Sequence, residues 1–210
     1  DDKELPKLSC SGITNLVRNN TTGQCAYTVV GTEFNPASFS DNCPGATLTN
    51  NFNNSSSLAG ADFPVGITTV IWTVTDAAGN TATCLSKVTV KDAQVPTISC
   101  PTAIATKFDN DLGQCGKTIL TSSIDPGFSD NCSGVDIAHN YVTAPNPWTL
   151  AGATFPVGST VVTWVVTDKA GNTTSCSITV VVSDKQAPSF VNCPTDMIMV
   201  GNDVDKCSAK

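Results

Sequence analysis

The cysteines of this 210-residue chain repeat one spacing pattern, and that pattern constrains the fold more than any other feature. The first series is Cys10, Cys25, Cys43 and Cys84; the second is Cys100, Cys115, Cys132 and Cys176; Cys193 and Cys207 begin a third. A repeat of about 90 residues is longer than a solenoid unit and has the size of an independent domain. The spacing therefore predicts tandem modules rather than one large domain.

Other sequence motifs recur in the same register. Residues 63–84 and 155–176 are identical at 15 of 22 positions, and each cysteine series is preceded by an Asp-x-x-x-Pro motif. We divide the chain into two modules, residues 1–92 and 93–184, followed by the first part of a third, residues 185–210. Since no Gly/Ser-rich linker separates them, we expect a semi-rigid array.

The recurring motif has the pattern of a β-hairpin. Val70, Trp72 and Val74 alternate with other side chains, as in a half-buried strand, and a second alternating run follows Asp76-Ala-Ala-Gly-Asn80. Glycine and asparagine tolerate the backbone of a tight turn, and the aspartate caps its amides. With no helical periodicity, the sequence predicts an all-β fold of tandem antiparallel β-sandwiches, immunoglobulin- or fibronectin-III-like and stapled by disulfides.

These motifs resemble a known family. The initial D-x-x-x-P-x-[IL]-x-C, the central DNC and the final FPVG-x-T-x-V-x-W-x-V-T-D-x-A-G-N-T-x-x-C are similar to the hyalin repeat (HYR) domain. The additional cysteines Cys25 and Cys115, each preceded by Gly-Gln, resemble the form found in long bacterial extracellular surface proteins. The resemblance implies an immunoglobulin-like module that acts in adhesion or scaffolding outside the cell and has no catalytic residues.

Disulfide bonds explain the cysteines better than zinc does. The chain has no CxxC motif and a single histidine, whereas structural zinc sites need closely spaced Cys and His ligands. Disulfides form in oxidising compartments, so we expect a secreted or cell-surface protein.

Two disulfide schemes are open. A bridging scheme pairs Cys43–Cys84 and Cys132–Cys176 within modules and Cys25–Cys100 and Cys115–Cys193 between them. An internal scheme keeps every bond within its module, for example Cys10–Cys84 with Cys25–Cys43. We favour bridging because Cys10 and Cys207 would then bond to further modules. A bond from Cys10 to another cysteine of its own module would contradict that scheme.

Composition excludes several classes of function. The formal charge is −7 and no lysine or arginine cluster occurs, so we expect no nucleic-acid partner. No apolar run reaches the roughly 18–20 residues needed to cross a bilayer, so we expect no membrane span in this segment. His139 lacks a repeated partner, and no nucleophile-elbow, zinc-protease or phosphate-loop motif occurs. We therefore predict neither an enzyme nor an organic cofactor, and we interpret His139 as a surface strand residue.

Calcium is the one ion for which the chain has suitable oxygen ligands. Asp2, Asp92 and Asp184 lie at module boundaries, and Asp76 and Asp168 lie in the hairpin turns. Asp41-Asn42 and Asp130-Asn131, before the central cysteines, supply further oxygens. The alternative, that these carboxylates only serve turns, is favoured.

Six asparagines begin an N-x-[ST] triplet and are glycosylation candidates. They are Asn19, Asn20, Asn53, Asn54, Asn131 and Asn172.

The sequence favours an extracellular structural or adhesive protein: a semi-rigid stalk or filament of tandem modules. Its expected partners are neighbouring copies of the module or chain and cell-surface or matrix glycans and proteins. The alternative is an array of accessory carbohydrate-binding modules of a secreted enzyme, with Trp148 as the sugar-stacking residue.

Overall fold

A computed structural model describes residues 2–189 and residue 204, and in that part of the chain every regular element is a β-strand. The first module contains β1 (Lys7–Ser9), β2 (Asn15–Asn19), β3 (Ala26–Thr28), β4 (Ser38–Ser40), β5 (Thr47–Asn50), β6 (Asp62–Pro64), β7 (Gly66–Thr75) and β8 (Thr81–Lys91). The second contains β9 (Thr97–Ser99), β10 (Lys107–Asp109), β11 (Gly116–Thr118), β12 (Gly127–Ser129), β13 (Asp136–His139), β14 (Thr154–Pro156), β15 (Gly158–Thr167) and β16 (Thr173–Ser183).

The two modules have the same strand topology. Each has one four-stranded sheet, in the order β2-β8-β7-β5 in the first module and β10-β16-β15-β13 in the second. Two short antiparallel pairs accompany each sheet, β1-β4 and β3-β6 in the first module and β9-β12 and β11-β14 in the second. The tandem β-sandwich fold predicted from the sequence is therefore confirmed. The exact boundaries 1–92 and 93–184 stay a prediction, and most of residues 185–210 lies outside the described residues.

The repeated hairpin forms the centre of each sheet, as predicted. Strand β7 pairs with β8 over ten residue pairs, and the side chains of Val70, Trp72 and Val74 are fully buried. The same alternation buries Val162, Trp164 and Val166 of β15. Burying a large apolar side chain contributes about 1.5–3 kcal/mol, so this strand contributes a large share of the core.

Aromatic rings close the core of each module beside the hairpin. Phe63 is fully buried and stacks on Phe52 with ring centroids 4.3 Å apart. In the second module, Phe155 stacks on Tyr141 at 4.4 Å. The Phe-Pro-Val-Gly turn thus places its phenylalanine in the core, as the sequence predicts.

One pairing in each module departs from the purely antiparallel prediction. Strand β2 runs parallel to β8, with Leu16 opposite Val88, and β10 runs parallel to β16. These pairs join the beginning of a module to its last strand, and local periodicity contains no information on so distant a pairing. Among the described residues no helix is long and apolar enough to cross a membrane.

Candidate functional site

The most distinctive feature of the molecule is the connection between the two modules. A disulfide joins Cys25, which immediately precedes β3, to Cys132, which follows β12, with a Cα–Cα distance of 4.8 Å. The two residues are 107 positions apart, so the bond crosses from one module to the other. Together with the hydrogen bonds to the connecting segment, residues 92–96, we call this region the joint.

Both predicted disulfide schemes are wrong in part. The internal bonds are Cys10–Cys84 and Cys100–Cys176, each with a Cα–Cα distance of 6.1 Å. Each of these bonds begins at the cysteine that follows the first strand of its module, Cys10 after β1 or Cys100 after β9. Because β1 lies close to β8 and β9 lies close to β16, each cysteine reaches the last strand of its own module. The bridging scheme correctly predicted a bond between modules, but it named the wrong partners.

Four of the predicted disulfide bonds are not formed. They are Cys43–Cys84, Cys132–Cys176 and Cys25–Cys100 of the bridging scheme and Cys25–Cys43 of the internal scheme. The criterion that an internal Cys10 bond would contradict bridging is also wrong, because both kinds of bond coexist. Cys43 and Cys115 are exposed and have no disulfide partner among the described residues, and Cys193 and Cys207 lie outside them.

The first module holds the connecting segment through two side-chain bonds. The amide of Ala93 donates to Asn20 Oδ1 at 3.0 Å, and the amide of Gly23 donates to Gln94 Oε1 at 2.7 Å. Asn20 is fixed in turn, since its Nδ2 donates to the carbonyl of Gln24 at 2.9 Å. Gly23 has a φ of 79°, a left-handed conformation that favours glycine.

The second module holds the same segment from the other side. Nδ2 of Asn172 donates to the carbonyl oxygens of Asp92 at 3.2 Å and Gln94 at 3.3 Å. Nδ2 of Asn131, beside the bridging cysteine, donates across the boundary to the carbonyl of Gln24 at 3.0 Å. The connecting segment is therefore bonded to both modules, and the disulfide closes the arrangement.

The Asp-x-x-Gly-Asn motif contributes to this connection as well as to its own turn. Asp168 Oδ1 accepts from the Asn172 amide at 2.8 Å, and Oδ2 accepts from Asn172 Nδ2 at 2.7 Å. Asp76 and Asn80 make the same bonds in the first module, where Asn80 Nδ2 also donates to the carbonyl of Asp2 at 3.2 Å. The motif thus fixes an asparagine that holds the leading segment of its own module.

The turn aspartates have shifted pKa values. Burial raises the pKa of Asp168, but the hydrogen bonds from the Asn172 side chain and from the turn amides outweigh that effect and hold the pKa below its ordinary value. Burial and the bonds from Asn80 and the turn amides act in the same way on Asp76. Both side chains are therefore stabilised as carboxylates within their turns.

Carboxylates also gather at the joint. Oxygens of Asp92 and Asp130 lie within 4.8 Å of each other and of the Cys132 sulfur, which is part of the disulfide. Asp130 Oδ1 and Asn131 Oδ1 are both shielded from solvent and accept no hydrogen bond from the described residues. Of the calcium candidates, Asp92 and Asp130 belong to this group, and Asp2 and Asp41 form the matching group with Cys43 in the first module. Asp76 and Asp168 serve their turns. Asp184 accepts from the Gln186 amide at 2.9 Å, as Asp92 does from the Gln94 amide at 3.2 Å.

The glycosylation candidates fall into two groups. Asn20, Asn131 and Asn172 use their amide nitrogens in bonds at the joint, and Asn53 donates to the Ser57 carbonyl at 3.0 Å. The structure leaves Asn19 and Asn54 exposed, with no side-chain hydrogen bond among the described residues. Glycosylation stays a prediction, and these two sites are the accessible ones.

His139 lies in strand β13, as predicted, but it is half-buried and packs against its neighbours rather than standing on the surface. Its Nε2 lies 2.9 Å from the Asn146 carbonyl, its Nδ1 accepts from the Tyr141 amide at 3.2 Å, and its ring meets Trp164 edge-on at 4.7 Å. Asn50 takes the equivalent place opposite Trp72 and likewise organises the loop that follows. Both ring nitrogens of His139 are therefore engaged in loop structure. Trp148 is 64% exposed.

Asn20 and Gln94 were not predicted to make contacts at the module boundary, although the sequence contains a signal for both. Asn20 recurs as Asn110 and Gln94 as Gln186, each two to five residues from a cysteine or a boundary aspartate. Polar residues that repeat together at module boundaries indicate boundary contacts.

The family is shown by two tandem matches of the HYR domain model, over residues 1–90 and 91–182. The chain belongs to the HYR domain family. Hyalin of Strongylocentrotus purpuratus is 30% identical over 203 residues, which cover 94% of this chain and 15% of that protein. Hyalin of Lytechinus variegatus is 34% identical over 139 residues, 65% of this chain and 24% of that protein. The HYR chain thus spans less than a quarter of the length of either curated relative.

More distant relatives were also found. A rat "Sushi, von Willebrand factor type A, EGF and pentraxin domain-containing protein 1" is 32% identical over 121 residues, 57% of this chain and 3% of that protein. Among solved structures, Drosophila N-cadherin EC1-4 aligns with a TM-score of 0.40 at 11% identity, covering 88% of this chain and 50% of that one. The fold assignment rests on the strands of the HYR chain itself.

Proposed function

We propose that this HYR chain is a section of an extracellular adhesive repeat protein and that it serves there as a semi-rigid stalk or filament. The joint carries the proposal, because the connecting segment is hydrogen-bonded to both modules and a disulfide spans them. Flexible linkers let tandem modules move independently, whereas a segment bonded on both sides transmits orientation and load. The three disulfides support an oxidising compartment outside the cytoplasm.

A role under mechanical load is also consistent with the repeated hairpin and with the internal disulfides Cys10–Cys84 and Cys100–Cys176, each of which we call a clamp. The internal bonds join the beginning of each module to its last strand near the start of that strand, so the residues between the two cysteines cannot be extended by load without breaking a covalent bond. The residues that repeat most closely between modules are the core, the turn and the cysteines, which are structural residues.

Small-angle X-ray scattering of the oxidised chain tests the stalk. We expect an elongated particle whose scattering fits one fixed arrangement of the modules. The Cys25→Ser/Cys132→Ser chain is the comparison, and Cys115→Ser, which removes an exposed thiol without a disulfide partner among the described residues, is the matched control. Scattering that requires a broad ensemble for the oxidised chain would contradict the proposal.

Adhesion is tested separately with beads that carry the oxidised chain. Clustering of the beads with one another supports homophilic contacts, and binding to cells or to immobilised matrix glycans supports a heterologous partner. Negative-stain images of the free chain at high concentration test filament formation. Beads that bind nothing and a strictly monomeric chain would count against an adhesive or filamentous role while leaving the stalk intact.

A calcium ion at the joint is a second proposal, and the structure narrows its candidate ligands to Asp92, Asp130 and Asn131. Asp130 Oδ1 and Asn131 Oδ1 accept no hydrogen bond from the described residues, and both residues lie beside Asp92, whose Oδ1 accepts from the Gln94 amide at 3.2 Å. We expect calcium to raise the melting temperature of the chain, and Asp130→Asn to abolish that shift. Asp136→Asn, at an exposed strand position, is the control. No shift in the unmodified chain would end the proposal.

The carbohydrate-binding alternative has less support. Trp148 is exposed and could stack on a sugar ring, but the first module has no tryptophan at the corresponding place. Saturable glycan binding that is lost in Trp148→Ala would favour this alternative over the stalk.

A further inference from the structure

We propose that the disulfide between Cys25 and Cys132 is a general connector of the array, which Cys115 and Cys43 make again with the modules that adjoin them. Each module carries both halves: a Gly-Gln-Cys cysteine on its forward side, Cys25 or Cys115, and an Asp-Asn-Cys cysteine on its backward side, Cys43 or Cys132. In the one complete junction, a forward half is bonded to a backward half. This inference rests on the tandem organisation proposed above but not on adhesion.

The forward half of the second module is built like that of the first. Asn110 Nδ2 donates to the carbonyl of Gln114 at 2.9 Å, as Asn20 does to Gln24 at 2.9 Å. The Asn110 amide donates to the carbonyl of Ser183 at 3.0 Å, matching the bond from the Asn20 amide to Lys91. Cys115 therefore sits in the same local structure as Cys25.

The chain that leaves the second module follows the path seen at the first junction. The Gly113 amide donates to Gln186 Oε1 at 2.7 Å, as the Gly23 amide does to Gln94 at 2.7 Å. The Lys185 amide donates to Asn110 Oδ1 at 3.0 Å, which repeats the bond from Ala93 to Asn20. Residues 185 and 186 are thus held relative to Cys115 in the way that residues 93 and 94 are held relative to Cys25.

The backward half is also repeated. The Cys43 amide donates to Asp41 Oδ2 at 3.0 Å, and the Cys132 amide donates to Asp130 Oδ2 at 2.9 Å. Both cysteines follow a Phe-Ser-Asp-Asn sequence, and both lie near the leading aspartate of their module, Asp2 or Asp92. Cys43 therefore presents an exposed thiol in the setting where Cys132 forms its bond.

The bond forms by oxidation of two thiols. Each sulfur loses a proton, the pair loses two electrons, and a low-molecular-weight disulfide such as oxidised glutathione accepts them and becomes two thiols. An oxidising compartment supplies that class of oxidant. When the bond is repeated at each junction, successive modules are joined covalently by a disulfide as well as by the backbone.

Two lengthened chains test the proposal. One consists of residues 1–183 followed by residues 92–184, and the other of residues 1–183 followed by residues 2–92. Each supplies a complete third module in the native register, the first with Cys132 and the second with Cys43 as the backward half. The added module of the first chain carries Cys115→Ser, and the first module of the second chain carries Cys43→Ser, so that the Cys115 peptide of each chain and the Cys43 peptide of the second are unique. Both chains are oxidised in a glutathione buffer, alkylated without reduction, digested and mapped by mass spectrometry.

In both chains we expect Cys115 to be recovered in a disulfide with the Asp-Asn-Cys peptide of the added module and to escape alkylation. The duplicated internal bond, Cys100–Cys176 or Cys10–Cys84, reports that the added module has folded when it is recovered in full, with none of its cysteines alkylated in either copy. A folded third module with an alkylated Cys115, or with Cys115 bonded elsewhere, would overturn the proposal. An added module that fails to fold in both chains would also overturn it, because the proposal requires interchangeable modules.

Discussion

At the scale of single residues, the aspartate of the hairpin turn and the asparagine four residues later act as one unit. The Asp168 carboxylate accepts hydrogen bonds from both the backbone N–H and the side-chain Nδ2 of Asn172. This fixes the Asn172 side chain so that Nδ2 also donates to the connecting segment. Asp76 and Asn80 repeat the arrangement. The pair links turn formation to the position of the neighbouring module.

Replacing the carboxylate by its amide tests this unit. In Asp168→Asn, an NH₂ group faces the NH₂ of Asn172, and the charge that strengthened two hydrogen bonds is lost. We expect the free energy of unfolding to fall by about 1–3 kcal/mol, the usual cost of leaving such groups unpaired. Urea denaturation at pH 7 measures the change, with Asp136→Asn as the exposed control. An Asp168 variant as stable as the control would contradict the assignment.

The depressed pKa of Asp168 also predicts how this contribution depends on pH. Because the carboxyl binds its proton more weakly in the folded state, its stabilisation is complete above the ordinary carboxyl pKa of about 4 and is lost as the pH falls through the lower folded value. The difference in stability between the native chain and Asp168→Asn should therefore shrink from about pH 5 towards about pH 2. A constant difference across that range would show that the charge contributes nothing.

At the scale of elements, the sequence predicted the parts that local pattern encodes. The alternation of Val70, Trp72 and Val74 places β7 correctly, and Asp-Ala-Ala-Gly-Asn marks the turn to β8. The short strands are less evident: β10 has three residues, of which Phe108 alone is apolar, so pairing rather than sequence defines it. Its parallel pairing with β16 joins residues more than 70 positions apart.

The internal disulfide is the element that ties this last strand to the beginning of the module. In Cys100→Ser/Cys176→Ser, the unfolded second module gains the freedom of a loop of about 75 residues, and we expect a loss of about 2–4 kcal/mol in the free energy of unfolding. Thermal denaturation of this variant and of Cys115→Ser measures the effect. Equal melting temperatures for the two variants would contradict a stabilising clamp.

At the scale of the whole molecule, the sequence predicted a bond between modules but not its partners. Cysteine spacing showed that each module has four equivalent positions, and the expectation that Cys25 faces the next module is confirmed by its bond to Cys132. Which cysteine of that module approaches Cys25 depends on the path of the connecting segment. That path is set by Asn20, Gln94 and Asn172, whose contacts only the folded structure reveals.

The central claim is that the joint holds the two modules in one arrangement. Maleimide spin labels on Cys43 and Cys115, in a chain that also carries Cys193→Ser and Cys207→Ser, permit a double electron–electron resonance measurement across the joint. We predict a single narrow distance distribution, which broadens when Cys25→Ser/Cys132→Ser is added. A broad distribution in the disulfide-bonded chain, no narrower than in the chain without the bond, would contradict the claim that the modules form a semi-rigid unit.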